Sequence, residues 1–262
     1  MTAVPRVVLA GGRAGPELAA QIGSPVRAMA VFGGSTLLEL VVAALTGADE
    51  TAPVTVVGDV PVAPGYNRVD DQGDFVSNLL AGVGQYPAAD WVLVTSADMP
   101  FLTPAGVSAF VREALEQGAR RAVAIVYPVV PVSLCYAKYP GLKRTAVRLR
   151  EGELTGGNMM LARPSFFLDR RELLGRAFAA RKNPFRLASM LGLGTLVRLI
   201  CAQTVAPAWL DIATLERRAG MLVGGSVCAM VCDSPEIATD LDRPSDFATA
   251  ASYTRCAPAD SN

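Results

Sequence analysis

The sequence predicts an α/β protein in which helices cover both faces of a mostly parallel sheet. Strand-like and helix-like segments alternate through the first half of the chain, as in successive βαβ units. The strand-like segments are rich in valine and apolar at successive positions, so both faces of the sheet are expected to be buried. Apolar residues make up 51% of the 262 positions, which is enough for a sizeable core.

The predicted elements follow one another without a linker. The predicted strands are 6–12, 52–59, 90–98, 121–130 and 226–233. The predicted helices are 35–47, 74–86, 103–118, 170–180, 184–201, 211–222 and 243–254. Thr103 followed by Pro104 is a strong helix start, since threonine caps well and proline suits the first helical position. Ser35 or Thr36 is expected to cap the helix over 35–47, and Gly47 to end it.

The chain is expected to form one domain over residues 1–256, with 257–262 as a loose polar tail. Within it, residues 136–225 form an insertion and cap region. A more charged, more alternating pattern over 136–169 predicts a β insertion or lid. The apolar helices that follow are expected to cover the sheet as a helical cap. A homodimer surface or an apolar acceptor pocket is the alternative for these helices.

Charge and composition exclude several function classes. Lysine plus arginine equals aspartate plus glutamate at 24 each, which argues against a nucleic-acid partner because such surfaces need a basic excess. The chain has no histidine, so serine–histidine and cysteine–histidine catalysis within it are excluded. The most apolar later segment is interrupted by Arg198 and two glycines, and no membrane span is expected.

The five cysteines are interpreted as structural residues. Their number is odd and their positions are scattered, which predicts a reducing, cytoplasmic location. Cys228 and Cys232 are close together and share one face of a predicted strand. We expect both to be small core residues and not metal ligands.

A glycine loop, formed by Gly11, Gly12, Arg13 and Gly15, follows the first predicted strand. It matches neither the G-x-G-x-x-G dinucleotide fingerprint nor a phosphate-binding loop that ends in G-K-[ST]. Such a loop is either a tight turn or a place where an anion approaches the bare backbone. In the second reading the amides of Gly11, Gly12 and Gly15 hold phosphate oxygens.

Acidic residues follow two other segments that are expected at the same sheet edge. Asp98 lies just past the strand over 90–98, where its carboxylate can hold Mg²⁺. The alternative is a loop or capping aspartate. Asp240 and Asp242 alternate near a strand end, so one of them is expected to join Asp98 at a cation. Asp242 is alternatively the cap of the last helix.

A second glycine pair lies in the predicted β insertion. Gly156 and Gly157 would let a ligand approach the backbone, and Asn158 would offer it a side-chain amide. Because parallel sheets bind ligands beyond the carboxyl ends of their strands, this segment is expected to meet the glycine loop and Asp98 there.

The ordered set of motifs resembles that of the nucleotidyltransferases. The set is similar in particular to molybdenum-cofactor guanylyltransferase-like enzymes and to sugar or alditol nucleotidyltransferases. The resemblance covers residues 5–130 and, less closely, residues 235–247. The motifs are, in order, "VVLAGG", "VRAM", "FGGSTLLELVVAAL", "SADMP" and "DLDRPSDF".

The resemblance implies a Rossmann-like sheet of the GT-A type and a Mg²⁺-dependent transfer. A nucleoside monophosphate would pass from an NTP to a phosphorylated small-molecule acceptor, with release of pyrophosphate. Asp98 would bind the metal, and Arg13 and Arg27 would be the catalytic cations. The glycine pair with Asn158 would face the acceptor. The implied nucleotide contacts are Leu9, Ala10, Gly11, Gly12, Gly15, Asn78 and Gly82.

This chemistry needs no histidine, because the attacking phosphate oxygen of the acceptor is already ionised. One departure from the family pattern stands out: Arg27 occupies the position where the family carries a lysine. Arginine keeps the charge but has a flat, forked geometry. Two alternatives to an active nucleotidyltransferase therefore stay open, a non-catalytic binder of nucleotides or sugar nucleotides and a glycosyltransferase on the same fold.

Overall fold

The computed structural model describes residues 3–180 and 210–254. The predicted helix over 184–201 and the predicted tail over 257–262 lie outside the described residues. So do Cys201 and Cys256.

A nine-stranded sheet forms the centre of the described structure. Its path runs β5-β4-β1-β6-β10-β7-β9-β8, and β11 adds to β7. The strands are β1 (Arg6–Leu9), β4 (Val54–Val57), β5 (Asn67–Val69), β6 (Val92–Ser96), β7 (Ile125–Pro131), β8 (Val147–Leu149), β9 (Gly152–Gly156), β10 (Met159–Ala162) and β11 (Val227–Val231). A separate two-stranded sheet pairs β2 (Val31–Phe32) with β3 (Ser35–Thr36).

Helices connect these strands and cover the sheet. The helices are α1 (Pro16–Ile22), α2 (Leu37–Ala48), α3 (Phe75–Val83), α4 (Pro104–Arg121), α5 (Val132–Lys138), α6 (Pro164–Leu168), α7 (Arg171–Ala180), α8 (Ile212–Val223) and α9 (Pro244–Thr254). The described ranges also contain two single 3-10 turns, Arg27–Met29 and Pro235–Ala238.

The mostly parallel sheet predicted from the sequence is confirmed. β1 is parallel to β4 and β6, and β4 is parallel to β5. Alternate residues of β1 face opposite cores: Val8 packs in one apolar cluster and Val7 in another. Helices α2 and α4 supply the first cluster, with Leu45 and Phe110 among its members, while α3 supplies the second. Both faces of the sheet are therefore covered.

The segment over 136–169 contributes strands but not a lid. β10 lies between β6 and β7 and runs antiparallel to both. β9 is antiparallel to β7 and carries β8 at its outer edge. These strands complete the main sheet, so of the two alternatives, a β insertion and a lid, the structure confirms the β insertion. The charged, alternating pattern came from the partly exposed strands β8 and β9.

Helix boundaries follow the capping residues. Thr36 accepts a hydrogen bond from Glu39 N and forms a capping box, while Thr103 accepts one from Gly106 N. Gly47 does not end its helix as predicted, because α2 continues to Ala48. A glycine ends a helix by adopting a left-handed conformation, and Gly47 is not among the residues with positive φ.

The cysteines in the described part of the chain are buried, as predicted. Cys135 and Cys228 are 1% exposed and Cys232 is 8% exposed. Burial raises the pKa of all three thiols, that of Cys232 to about 11. In the described ranges, no helix is long and apolar enough to cross a membrane.

Candidate active site

A cavity of about 360 Å³ opens where the carboxyl ends of β1 and β6 meet. The sheet places it there, because parallel strands leave a crevice beyond their carboxyl ends. Its lining combines the glycine loop, the end of β6 and the start of α3. The lining residues are Leu9, Ala10, Gly11, Gly12, Arg27, Ala28, Gly73, Asp74, Phe75, Asn78, Ser96, Ala97 and Asp98.

Two glycines of the loop after β1 make close approaches that a side chain would block. A Cβ on Gly11 would lie 2.3 Å from Asn78 Nδ2 and 2.8 Å from Asp71 Oδ1. A Cβ on Gly12 would lie 3.0 Å from Arg27 Nη2. Neighbouring polar side chains therefore leave little room for a Cβ at either position. The bare backbone of both glycines borders the cavity.

The third glycine of the loop has a different surrounding. Gly15 precedes α1 with φ −61° and ψ 160°, and a Cβ there would meet nothing within 4 Å. It is not among the residues that line the cavity. Arg13 also lies outside the lining, with its side chain 63% exposed and its Nη2 3.9 Å from Asp71 Oδ2.

Asp98 lies in the cavity wall directly after β6 and is only 7% exposed. Its Oδ1 accepts a hydrogen bond of 2.5 Å from Ser96 Oγ, and its Oδ2 lies 2.8 Å from Arg27 Nη2. Burial raises the pKa of Asp98, and the nearby Arg27 opposes that shift. A carboxylate in this setting needs a cation, which Arg27 supplies.

The structure brings Asp240 and Asp242 to Asp98, as the sequence predicts for at least one of them. One carboxylate oxygen from each of the three lies within 4.8 Å of the others. Arg27 Nη1 lies 2.5 Å from Asp242 Oδ1, and Arg144 pairs with Asp240. Carboxylate oxygens at this spacing could hold a hard divalent cation.

Asp242 does not cap the last helix. The carboxylate of Asp246 accepts hydrogen bonds from the backbone N–H groups of Asp242 and Arg243, at 3.2 and 2.9 Å. Because Asp246 satisfies the start of α9, the side chain of Asp242 is free to pair with Arg27. The alternative that Asp242 is a cap is therefore wrong.

Asn78 and Gly82 lie on the same helix, α3, but only Asn78 reaches the cavity. Asn78 Oδ1 accepts from Gln72 N at 2.7 Å, and its Nδ2 donates to Asp71 Oδ1 at 2.7 Å. A Cβ on Gly82 would lie 2.4 Å from Val7 Cγ1 and 2.9 Å from a methyl of Val57. Gly82 therefore permits close packing of the helix on the sheet and is not part of the cavity.

Gly156 and Gly157 also lie at packing contacts. A Cβ on Gly156 would lie 2.5 Å from Tyr127 Oη, and one on Gly157 would lie 2.8 Å from Pro128 Cγ. The backbone carbonyl of Asn158 accepts a hydrogen bond from Ser96 N at 2.9 Å, which places Asn158 beside the end of β6. Its side-chain Nδ2 is buried and has no hydrogen-bond partner among the residues that the structure describes. None of these three residues lines the 360 Å³ cavity.

Sequence reasoning missed several residues of the site. Gly73 lines the cavity, and Arg144 pairs with Asp240. Asp74 and Phe75 also line it, but they open "DFVSNLLAGV", the segment for which the resemblance implies a place in the base pocket. Asp74 caps α3 by accepting from Val76 N and Ser77 N, and this capping motif was visible as an aspartate before an apolar helix. The Arg144–Asp240 pair joins distant segments, and no local pattern indicated it.

The fold and the site together define an α/β scaffold with a ligand cavity next to a carboxylate cluster. The chain belongs to the family of MobA-like NTP transferase domains, whose model matches residues 6–176. The family resemblance predicted from the ordered motifs is thus confirmed. The chain is 33% identical over 132 residues to a molybdenum cofactor guanylyltransferase from Rhodopseudomonas palustris. That match covers 47% of this chain and 59% of the relative.

Solved structures share the fold over nearly the whole chain. A hypothetical transferase from Thermus thermophilus is 31% identical with a TM-score of 0.77, covering 94% of this chain and 100% of that one. A 2-C-methyl-D-erythritol 4-phosphate cytidylyltransferase from Thermus thermophilus is 16% identical with a TM-score of 0.52, covering 95% and 98%. At 16% identity the likeness shows the fold alone.

Proposed function

We propose that the chain is a Mg²⁺-dependent nucleotidyltransferase. It would transfer a nucleoside monophosphate from an NTP to a phosphorylated small-molecule acceptor and release pyrophosphate. The observation that carries this proposal is the position of Asp98 in the wall of a cavity that the bare backbone of Gly11 and Gly12 also lines. A triphosphate on that backbone would lie beside the carboxylates.

Three groups support binding of the triphosphate. The glycine loop offers backbone that phosphate oxygens can approach closely. Arg27 lines the same cavity and presents a forked guanidinium suited to phosphate oxygens. Arg13 is exposed, and its Nη2 is loosely paired with Asp71 Oδ2 at 3.9 Å. A phosphate at the mouth of the cavity could therefore bind the Arg13 side chain.

The carboxylates of Asp98, Asp240 and Asp242 would hold the cation. Mg²⁺, when bound, would offset negative charge on the phosphates. Ser96 Oγ fixes the orientation of Asp98 through its 2.5 Å hydrogen bond. The chain therefore contributes alignment and charge stabilisation, and it needs no general base because the acceptor phosphate oxygen is already ionised.

The nucleoside is proposed to extend toward α3. Phe75 lines the cavity there, is 42% exposed and stacks on Phe178 with ring centroids 4.7 Å apart. An exposed aromatic face at this position can stack on a base. Asn78 supports this wall by fixing Gln72 and Asp71, so its role would be to position the base pocket.

The acceptor is proposed to bind beside Asn158, on the other side of Asp98. The amide Nδ2 of Asn158 is buried without a partner and Asn158 adjoins the end of β6. Gly156 and Gly157 would act indirectly, by letting the β9–β10 turn pack closely on β7 and so place Asn158. Gly15 and Gly82 lie outside the cavity lining and are not included in the proposed nucleotide site.

One observation favours a second candidate, a non-catalytic nucleotide binder. Arg27 already bridges Asp98 and Asp242, at 2.8 and 2.5 Å, where the family carries a lysine. If Arg27 still pairs with both carboxylates when a nucleotide is bound, a divalent cation cannot bind between them. The nucleotidyl transfer would then fail. Binding without Mg²⁺ dependence would identify this case.

Pyrophosphate release tests the proposed reaction. We would incubate the protein with each of the four NTPs, Mg²⁺ and candidate phosphorylated acceptors, and measure pyrophosphate with a coupled assay. GTP with molybdenum cofactor and CTP with sugar or alditol phosphates come first, since guanylyl and cytidylyl transfer are named for the relatives. The proposal expects acceptor-dependent release that Asp98→Asn abolishes. Nucleotide binding without release from any pair would favour the non-catalytic binder.

A further inference from the structure

Arg27 occupies the position between two carboxylates of the cluster. Its Nη2 lies 2.8 Å from Asp98 Oδ2 and its Nη1 lies 2.5 Å from Asp242 Oδ1. A guanidinium presents two such groups in a fixed plane, which a lysine ammonium cannot do. One side chain therefore pairs with two of the three acids of the cluster.

The backbone of the glycine loop fixes this arrangement. Arg27 begins the 3-10 turn over Arg27–Met29, and its N–H donates to Gly12 O at 2.9 Å. Gly12 leaves the guanidinium room, since a Cβ there would lie 3.0 Å from Arg27 Nη2. The Arg27 side chain is 25% exposed, so it lies between the buried Asp98 and the open cavity.

The third acid has a cation of its own. Arg144 pairs with Asp240, and the Arg144 side chain is only 10% exposed. The cluster of three carboxylates thus carries two guanidinium groups from the protein itself. A divalent cation that enters between Asp98 and Asp242 would face the like charge of Arg27 at short range, which costs free energy in a partly buried site.

We propose that Arg27 competes with the divalent cation for Asp98 and Asp242, so that the nucleotide-free protein holds the cation weakly. Arg27 also borders the backbone of Gly11 and Gly12, where the triphosphate is proposed to bind. A triphosphate there gives the guanidinium a second anionic partner and releases the carboxylates. Nucleotide and cation then bind cooperatively, because each favours the same position of Arg27. This inference rests on the proposed function.

Mn²⁺ binding to the nucleotide-free protein tests the competition directly. Mn²⁺ is chosen because it takes carboxylate ligands as Mg²⁺ does, and its free ion is measured by electron paramagnetic resonance. Arg27→Gln removes the competing charge, and we expect it to tighten Mn²⁺ binding roughly tenfold. Arg27→Lys keeps one charge but cannot bridge both acids, and its affinity is expected to fall between the two.

Two variants control the measurement. Arg68→Gln removes an arginine that pairs with Asp70 at 2.6 Å outside the cavity lining, and it should leave Mn²⁺ affinity unchanged. Adding Asp98→Asn to Arg27→Gln should abolish the increase in Mn²⁺ affinity, because that increase depends on the Asp98 carboxylate that Arg27 no longer occupies. Thermal unfolding of every variant with Mn²⁺ gives a second readout: Mn²⁺ should stabilise Arg27→Gln more than wild type.

Equal or weaker Mn²⁺ binding by a folded Arg27→Gln protein would overturn the competition. If Arg27→Gln fails to fold, equal or weaker Mn²⁺ binding by Arg27→Lys would overturn the competition instead. This failure is distinct from failure of the proposed function. Acceptor-dependent pyrophosphate release that needs Asp98, together with Mn²⁺ affinity insensitive to residue 27, would leave the reaction standing and remove only the competition.

Discussion

Arg27 and Asp98 form an ion pair of 2.8 Å that joins the 3-10 turn over Arg27–Met29 to the segment after β6. Asp98 is 7% exposed, so its negative charge would be costly without this partner. The same guanidinium reaches Asp242, which lies before the last helix. One side chain thus connects three segments that are far apart in the sequence, and the charge balance of the site depends on it.

Gly11→Ala is expected to disturb the cavity, while Gly15→Ala is not. A Cβ on Gly11 would lie 2.3 Å from Asn78 Nδ2, which forces that amide and Asp71 to move. Such overpacking typically costs about 1–3 kcal/mol. We expect a loss of this size in the free energy of unfolding in urea, and weaker nucleotide binding. Gly15 has nothing within 4 Å of its Cβ direction and no positive φ, so it is the matched control.

Two results for Gly11→Ala and Gly15→Ala would contradict this prediction. If Gly11→Ala unfolds and binds nucleotide as wild type does, the bare backbone at this position serves neither packing nor a ligand. If Gly15→Ala weakens nucleotide binding as much as Gly11→Ala, the whole loop contacts the ligand. The cavity boundary described above would then be wrong.

Asn78→Ala is expected to destabilise the wall of the cavity formed by residues 71–74. Asn78 is 4% exposed and satisfies both Gln72 N and Asp71 Oδ1, at 2.7 Å each. Its removal leaves the N–H of Gln72 unpaired, at a cost of about 1–3 kcal/mol. Asp71 Oδ1 loses one donor but still accepts from Gly73 N at 3.2 Å. Urea denaturation should show this loss. Ser77→Ala on the same helix removes only the 2.5 Å hydrogen bond from Ser77 Oγ to the exposed carboxylate of Asp74. It should therefore lower the unfolding free energy less than Asn78→Ala does, and equal losses would contradict the account.

The buried cysteines are expected to resist alkylation in the folded protein. A thiol reacts as its thiolate, and burial raises the pKa of Cys232 to about 11 and also raises that of Cys228. Both thiols therefore stay protonated at pH 8. Iodoacetamide followed by peptide mass spectrometry should label Cys135, Cys228 and Cys232 only after unfolding. Rapid native labelling of Cys228 or Cys232 would contradict their assignment to the core.

Local sequence patterns predicted most of the fold because local physics decides those elements. Valine-rich runs gave β1, β4 and β6 at the right places, and Thr103 with Pro104 gave the start of α4. The position of β10 between β6 and β7 could not be predicted, since antiparallel pairing with both is a long-range choice. The predicted strand over 121–130 began too early because Arg121 belongs to the last turn of α4.

The site was predictable in part for the same reason. Asp98 could be placed because it lies two residues past an apolar strand. Asp240 and Asp242 were expected near a strand end, which is wrong, because they follow the 3-10 turn over Pro235–Ala238. Gly82 was assigned to the base pocket, but which face of a helix a glycine serves depends on its packing partner. The bridge from Arg27 to Asp242 depends on side-chain reach across separate loops, and a sequence pattern does not encode such a distance.

Thermal unfolding with nucleotides tests the central claim most directly. The protein and Asp98→Asn would be heated with each of ATP, GTP, CTP and UTP, with and without Mg²⁺, and Asp70→Asn outside the cavity lining would serve as the matched control. A ligand at a hundred times its dissociation constant adds about 2.7 kcal/mol of stability. We predict stabilisation by one nucleotide that depends on Mg²⁺, is lost in Asp98→Asn and persists in Asp70→Asn. Stabilisation by no nucleotide, or by one that is insensitive to both Mg²⁺ and Asp98, would contradict the account.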